Sequence, residues 1–165
     1  MDERTRNSKQ IVARMVDALN DHVIEGQEEF WHEDMHWYGP AGIGAKMSLK
    51  AFQDEHQRPF LHAFPDKVAH DQVQIAEGDY VASFGYQEAT HAGDYLGIPA
   101  TGKKVKVRYM DFWRVEDGKL KENWVMIDLL DFLEQLDVDV EALLADAMKY
   151  RRGSAETRSA REEAS

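Results

Sequence analysis

Apolar residues recur at helical spacing from the start of the chain. Ile11, Val12, Met15, Val16 and Leu19 form one stripe, which predicts a helix capped by Ser8 and ending near Asn20-Asp21. Phe30 and Trp31 anchor a short second helix around residues 25–31. Met35 to Tyr38 then reads as a short strand. Three glycines and a proline between Gly39 and Gly44 interrupt both regular structures, so this stretch is a loop. Ser48 opens a third helix that carries Leu49, Phe52, His56 and Phe60 on one face. Pro59 falls within that pattern and either kinks the helix or starts a new turn.

From Val68 the pattern becomes that of strands: 68–76, then 80–91 after a Glu77-Gly78-Asp79 turn, then two long strands within 97–128. Asp117-Gly118 supplies a two-residue hairpin loop, because both residues tolerate positive φ. One-for-one pairing from that loop sets Val115 opposite Leu120, Trp113 opposite Glu122, Asp111 opposite Trp124, Tyr109 opposite Met126 and Val107 opposite Asp128. All of these share one face. That face is apolar and aromatic, yet it carries Asp111, Glu122 and Asp128. Two explanations stand: a salt-bridged polar rim, or a pocket with a carboxylate placed for proton transfer. In this register Asp111 and Asp128 lie about 13 Å apart along the sheet, too far to share a proton.

A short helix follows over 129–136. Asp139 caps a last amphipathic helix with Val140, Leu143, Leu144 and Met148 on its apolar face. Residues 151–165 hold almost no apolar side chains and read as a solvated, disordered tail. Helices followed by a strand meander predict one α+β domain over residues 1–150.

Composition narrows the function. With 165 residues and 43% hydrophobic content the chain can bury a real core. Its net charge of -11 argues against nucleic acid or an anionic membrane as partner. It has no cysteine, so thiolate chemistry is excluded. The charged start, MDERTRNSKQ, is no signal peptide, and no apolar run is long enough to span a bilayer, so a cytoplasmic location is expected.

The run from His91 to Lys103, HAGDYLGIPATGK, resembles the HxGxxxGIPPTGK signature of SnoaL-like polyketide cyclases. Downstream, Arg114 to Lys119, Glu122, Trp124, Asp128 and Gln135-Leu136 are also similar. The helical N-terminal half has the element order of the wider nuclear transport factor 2-like, cystatin-like superfamily. The resemblance implies a curved antiparallel sheet wrapped around N-terminal helices, forming a cone with an apolar pocket. It implies a homodimer through the outer face of the sheet and chemistry without cofactor or metal. It also implies an aspartate general acid/base at the position of Asp128. The position matching a pocket histidine of the family holds Asp111 here. Ala100 and Asp137 replace a usual proline and glycine.

The expected function is therefore cofactor-independent acid/base proton transfer on a hydrophobic carbonyl compound. The alternatives are a non-catalytic small-molecule-binding protein of the same fold, or a dehydratase or epoxide hydrolase using the same pocket. Asp128, Asp111 and His56 are the candidate catalytic residues. His56, on the apolar stripe of the third helix, is either a hydrogen-bonded core histidine or a pocket group. Trp37, Tyr38, Phe52, Phe60, Tyr109, Trp113, Trp124 and Met126 are candidate substrate contacts, though such aromatics equally build plain core. His32-Glu33-Asp34-Met35-His36 matches a zinc-protease pattern, but helix cannot persist into Trp37-Tyr38-Gly39-Pro40, so a helix-to-strand corner explains it better.

Overall fold

The computed structural model describes residues 1–149; the expectation of a disordered tail lies outside the described residues. Helix α1 spans Glu3–Asn20 and is capped by Asp2, whose side chain accepts from Thr5 N at 2.7 Å. Ser8 is not the cap. It is buried, and its hydroxyl donates to Gly78 O at 2.8 Å, fastening α1 to a sheet turn. Ile11, Val12 and Met15 are buried, as their spacing requires.

The second helix is only a 3-10 turn, Gln27–Glu29. Trp31 instead opens strand β1, Trp31–Tyr38, so the zinc-protease pattern lies on a strand. Strand β2, Ala45–Lys46, pairs antiparallel with β1. Ser48 caps α2, Leu49–Phe52, accepting from Ala51 N at 3.1 Å. A π-helical segment, Gln53–Gln57, carries α2 into α3, Arg58–Ala63. Pro59 has no N–H to give to the preceding turn, and the wider turn absorbs that missing bond.

Strands β3, Val68–Glu77, β4, Tyr80–Thr90, β5, Lys104–Glu116, and β6, Lys119–Ile127, form an antiparallel meander. The sheet order is β2-β1-β6-β5-β4-β3, with β1 joined parallel to β6. Helix α4, Leu129–Gln135, follows, and residues 140–149 form a last helix, α5, capped by Asp139. The apolar stripe of α5 is exposed: Leu143, Leu144 and Met148 are each about half accessible or more. The curved, unclosed sheet folds over α1 to α3. Two apolar clusters fill the concavity, one around Trp31, Trp37 and Trp113, the other around Phe64, Tyr95 and Phe132.

The hairpin loop is Asp117-Gly118, both at positive φ, as the sequence requires. The one-for-one register beyond it is corrected. Val115 pairs with Leu120, but Arg114 pairs with Glu122, leaving Lys121 as an extra residue in a bulge. Every residue of β6 after the bulge changes face. Asn123, Val125 and Ile127 point inward, and Glu122, Trp124 and Met126 point outward. The physical reason is electrostatic. Unbulged, Glu122 and Asp128 would be buried among aromatics, at several kcal/mol per ion. Bulged, Glu122 meets Arg114 and Asp128 meets Arg108, both on the outer face.

Candidate functional site

The sheet's inner face and α1 to α3 enclose a cavity of about 150 Å³. Of the sequence-derived candidates, Asp111, His56, Trp37, Phe52, Phe60, Tyr109 and Trp113 line it. Four do not. Tyr38 and Trp124 stack on each other at 5.6 Å on the outer face. Met126 is 71% exposed. Asp128 caps α4, accepting from Asp131 N at 3.3 Å, and receives Arg108 Nη2 at 2.6 Å. The Arg108 bond and the helix N–H hold its carboxyl below the usual range, so it is a firmly ionised surface group.

Asp111 is the opposite case. It sits mid-strand on β5, flanked inward by Tyr109 and Trp113. Burial pushes its carboxyl up to about 7. Asn123 Nδ2, donating to Oδ1 at 2.9 Å, pulls the other way; the nearby Asp71 charge adds to the rise and Lys67 opposes it. Oδ2 has no protein hydrogen-bond donor among the described residues. Such a carboxyl exchanges its proton near neutrality, as a general base must.

Asp71, on β3, went unnoticed in the sequence. Tyr109 Oη donates to its Oδ1 at 2.5 Å and Ser83 Oγ to its Oδ2 at 2.9 Å. Gly85 makes the first bond possible. It stands between Asp71 and Tyr109 in the sheet, and a Cβ there would meet His70 O at 2.1 Å and Tyr109 Oη at 3.0 Å. Burial, then the bond to Asp71, raises the Tyr109 hydroxyl far above its ordinary value, so it stays protonated.

Lys67 also lines the cavity and is 9% exposed. The backbone around it is pinned: His22 Nε2 contacts Lys67 O at 2.7 Å, and the Asn20 amide bonds both Ala69 O and N. Burial brings its ammonium down to about 8, against the opposing pull of Asp111 and Asp71. His56 stacks on Trp37 at 4.2 Å. Burial, with Lys46 and Lys67 nearby, lowers it to about 3, so its imidazole is neutral at physiological pH. His91 lies elsewhere, stacked on Phe64 at 5.1 Å with Nδ1 3.1 Å from Thr101 Oγ1, where it shapes the signature loop. No signal in one sequence marks Asp71, Lys67 or Tyr95, since each depends on long-range pairing; Asn123 follows once the bulge is known.

Among the described residues no cluster of three or more His, Asp or Glu is placed to hold a metal ion, and no helix is long and apolar enough to cross a membrane.

The sequence pattern of the SnoaL-like polyketide cyclases matches residues 9–136, and the chain belongs to that family. It is 24% identical over 129 residues to aklanonic acid methyl ester cyclase DnrD of Streptomyces peucetius, covering 76% of this chain and 88% of that one. AclR of Streptomyces galilaeus superposes with a TM-score of 0.71 at 28% identity, over 81% of this chain and 97% of that one. IdmH of Streptomyces antibioticus does so with a TM-score of 0.70 at 24% identity, over 79% and 99%.

Proposed function

We propose that this protein is a cofactor-independent cyclase-type enzyme that removes a proton next to the carbonyl of a hydrophobic polyketide-like compound, with Asp111 as the base. The carrying observation is the Asp111 carboxyl, set in an aromatic cavity with one oxygen free and titrating near neutrality. The relative DnrD, named as an aklanonic acid methyl ester cyclase, supports the reaction class. Neutral His56 presents a polar atom beside the same space and orients the carbonyl, while the Tyr109 hydroxyl, its proton given to Asp71, forms part of the wall. Ring closure then follows by attack of the enolate carbon on a second carbonyl, which takes up the proton that Asp111 returns.

Asp128, which the resemblance implied as the acid/base residue, takes no part in this reading. It lies on the outer face in an ion pair.

Two copies associate through the outer face of the sheet. Val73, Phe84, Met110 and Met126 form one lateral row across four strands, each exposed and each paired with the next. Phe112 and Trp124 extend it. A contiguous apolar patch of this kind needs a covering surface, and a self-complementary sheet face supplies one.

The test is deuterium uptake from heavy water into a panel of carbonyl compounds with acidic α-protons, comparing wild type with Asp111→Asn. Exchange by wild type and not by the variant supports the reading. Ligands that raise Tm without exchanging would make the protein a binding module.

A further inference from the structure

The cavity holds an ammonium group that the proposed chemistry has not used. Lys46 and Lys121, whose side chains are also well covered, each reach a carboxylate, Glu55 at 3.2 Å and Asp34 at 2.5 Å. Lys67 Nζ makes no ion pair or hydrogen bond among the described residues, although the residue is only 9% exposed. Asp71 and Asp111 sit close enough to feel its charge, yet both direct their bonded oxygens to other donors: Tyr109 and Ser83 for Asp71, Asn123 for Asp111. The Lys67 N–H donors stay open toward the cavity, and an ammonium largely withdrawn from water is costly unless something accepts from it.

The cavity wall carries more unmet polar capacity. Tyr95 Oη, Trp31 Nε1 and Gln57 Oε1 are buried without partners, and their residues belong to the same wall. Buried donors and acceptors are normally satisfied, but these three are closed off behind the wall, so the polar atoms that a ligand in the cavity meets include Lys67 Nζ and Asp111 Oδ2.

We propose that Lys67 Nζ is a catalytic group that binds the anionic oxygen of an acidic enol or phenol, so that the substrate class is a ring or chain ionising at oxygen when its proton passes to Asp111. This deepens the acid/base reading and rests on it. The charge balance selects this class over a ready-made carboxylate. Asp71 and Asp111 already place negative charge beside Lys67, and a third fixed anion would be repelled. An enol or α-C–H compound enters neutral. Its proton goes to Asp111 Oδ2, the electron pair is left on the substrate oxygen, and that oxygen accepts from the Lys67 ammonium. One negative charge has moved from Asp111 to the substrate, with no net change and no oxidant or reductant. A preorganised cation aimed at the developing charge lowers the barrier where charge appears. The cavity volume, about 150 Å³, fits roughly one aromatic ring, since an engineered cavity of about that size holds benzene.

The experiment uses 4-nitrophenol, whose neutral and ionised forms differ in colour. The full-length wild type should bind it as phenolate, ionising it at lower pH than in free solution. Lys67→Met should bind the neutral phenol and lose at least ~10-fold in phenolate affinity, which is one pH unit in the bound probe's ionisation. Lys67→Arg should retain most of it. Folding is checked by near-ultraviolet circular dichroism, with Lys67→Gln as a second neutral variant. Asp111→Asn should keep phenolate binding while losing deuterium exchange, which separates the two proposals. If wild type exchanges substrate protons but Lys67→Met binds phenolate equally well, the lysine assignment is overturned and the base stands. If phenolate binds through Lys67 but no compound exchanges, the base assignment is overturned and the anion subsite stands. A wild type that binds only neutral phenol, or that prefers 4-nitrobenzoate by tenfold, also overturns it.

Discussion

Two aspartates at the two faces of one sheet differ in almost every physical respect. Asp111 points inward from the middle of β5, surrounded by aromatic rings, and its carboxyl is pushed up to about 7. Asp128, just beyond β6, points outward, caps α4, pairs with Arg108 and is held below the usual range. Residue type does not set their chemistry. Burial favours the neutral form of one, and an arginine with a helix N-terminus favours the charged form of the other. The face of the sheet decides which environment applies: the alternation of β5 turns Asp111 inward, and one bulged residue in β6, Lys121, turns Asp128 outward.

The largest effect that should separate them is on proton transfer. Asp111→Asn should lower deuterium exchange by about 10²- to 10⁴-fold, the span typical of losing a general base. Asp128→Asn should leave the rate within about threefold, since its side chain touches no cavity atom; the comparison breaks if the second variant loses more than the first. The pH dependence carries a sign. Only ionised Asp111 accepts a proton, so the wild-type rate should rise with pH through about 7. If Lys67 must be protonated, the rate should fall again through about 8, and the two limbs belong to the coupled pair. Lys67→Arg should remove the alkaline limb and leave the acid one, because guanidinium does not titrate there.

A smaller effect is expected from the outer face. Met126→Lys places a charge at the β6 end of the apolar row that Val73, Phe84 and Met110 complete. It should weaken self-association at least ~10-fold in light scattering across a dilution series, because an unpaired charge within an interface is costly to desolvate. Exchange activity per chain should be unchanged, since Met126 faces away from the cavity. A wild type that is monomeric at every concentration would remove the dimer from the picture.

The fold was legible wherever a local rule acts alone. Asp117-Gly118 defined the hairpin loop, Ser48 capped its helix, and the alternation of β5 put Tyr109, Asp111 and Trp113 on the inner face. The spacing of His56 with Phe52 and Phe60 likewise carried it to the cavity wall. Legibility stopped where one extra residue could slip in without a local mark. Nothing in Leu120-Lys121-Glu122 announces a bulge, and both faces of β6 offer apolar residues, so pattern alone could not choose between Trp124 with Met126 and Val125 with Ile127. Charge pairing on the outer face made the choice, and Arg108 and Arg114 are visible as partners only when β5 and β6 are placed side by side. Asp71 and Lys67 were hidden for a related reason. Asp71 comes near Asp111 across two strand pairings, and its bond to Tyr109 crosses the gap at Gly85, neighbourhoods that no spacing along the chain encodes.

Stability gives the finest test of the contrast. Asp128→Asn keeps a capping amide for α4 but removes the charge that Arg108 and the helix N–H groups favour. The expected loss is small, about 3 °C in Tm at pH 7, because both partners are largely solvated. Its pH dependence has a definite direction. The folded carboxyl is held below its unfolded value, so its contribution is full above the ordinary carboxylate range and vanishes as pH falls through the lowered folded value. Wild type and Asp128→Asn should therefore converge in Tm as pH falls below that lowered value. Asp111→Asn should behave oppositely. The raised Asp111 carboxyl is protonated in the fold at acid pH and becomes a buried anion as pH rises through about 7, so the wild type loses stability in that direction. The asparagine variant should gain on the wild type between pH 4 and pH 8, by an amount that Lys67, left with one fewer counter-charge, reduces. A Tm difference of the same sign and pH slope for both variants would mean that the two faces are not electrostatically distinct.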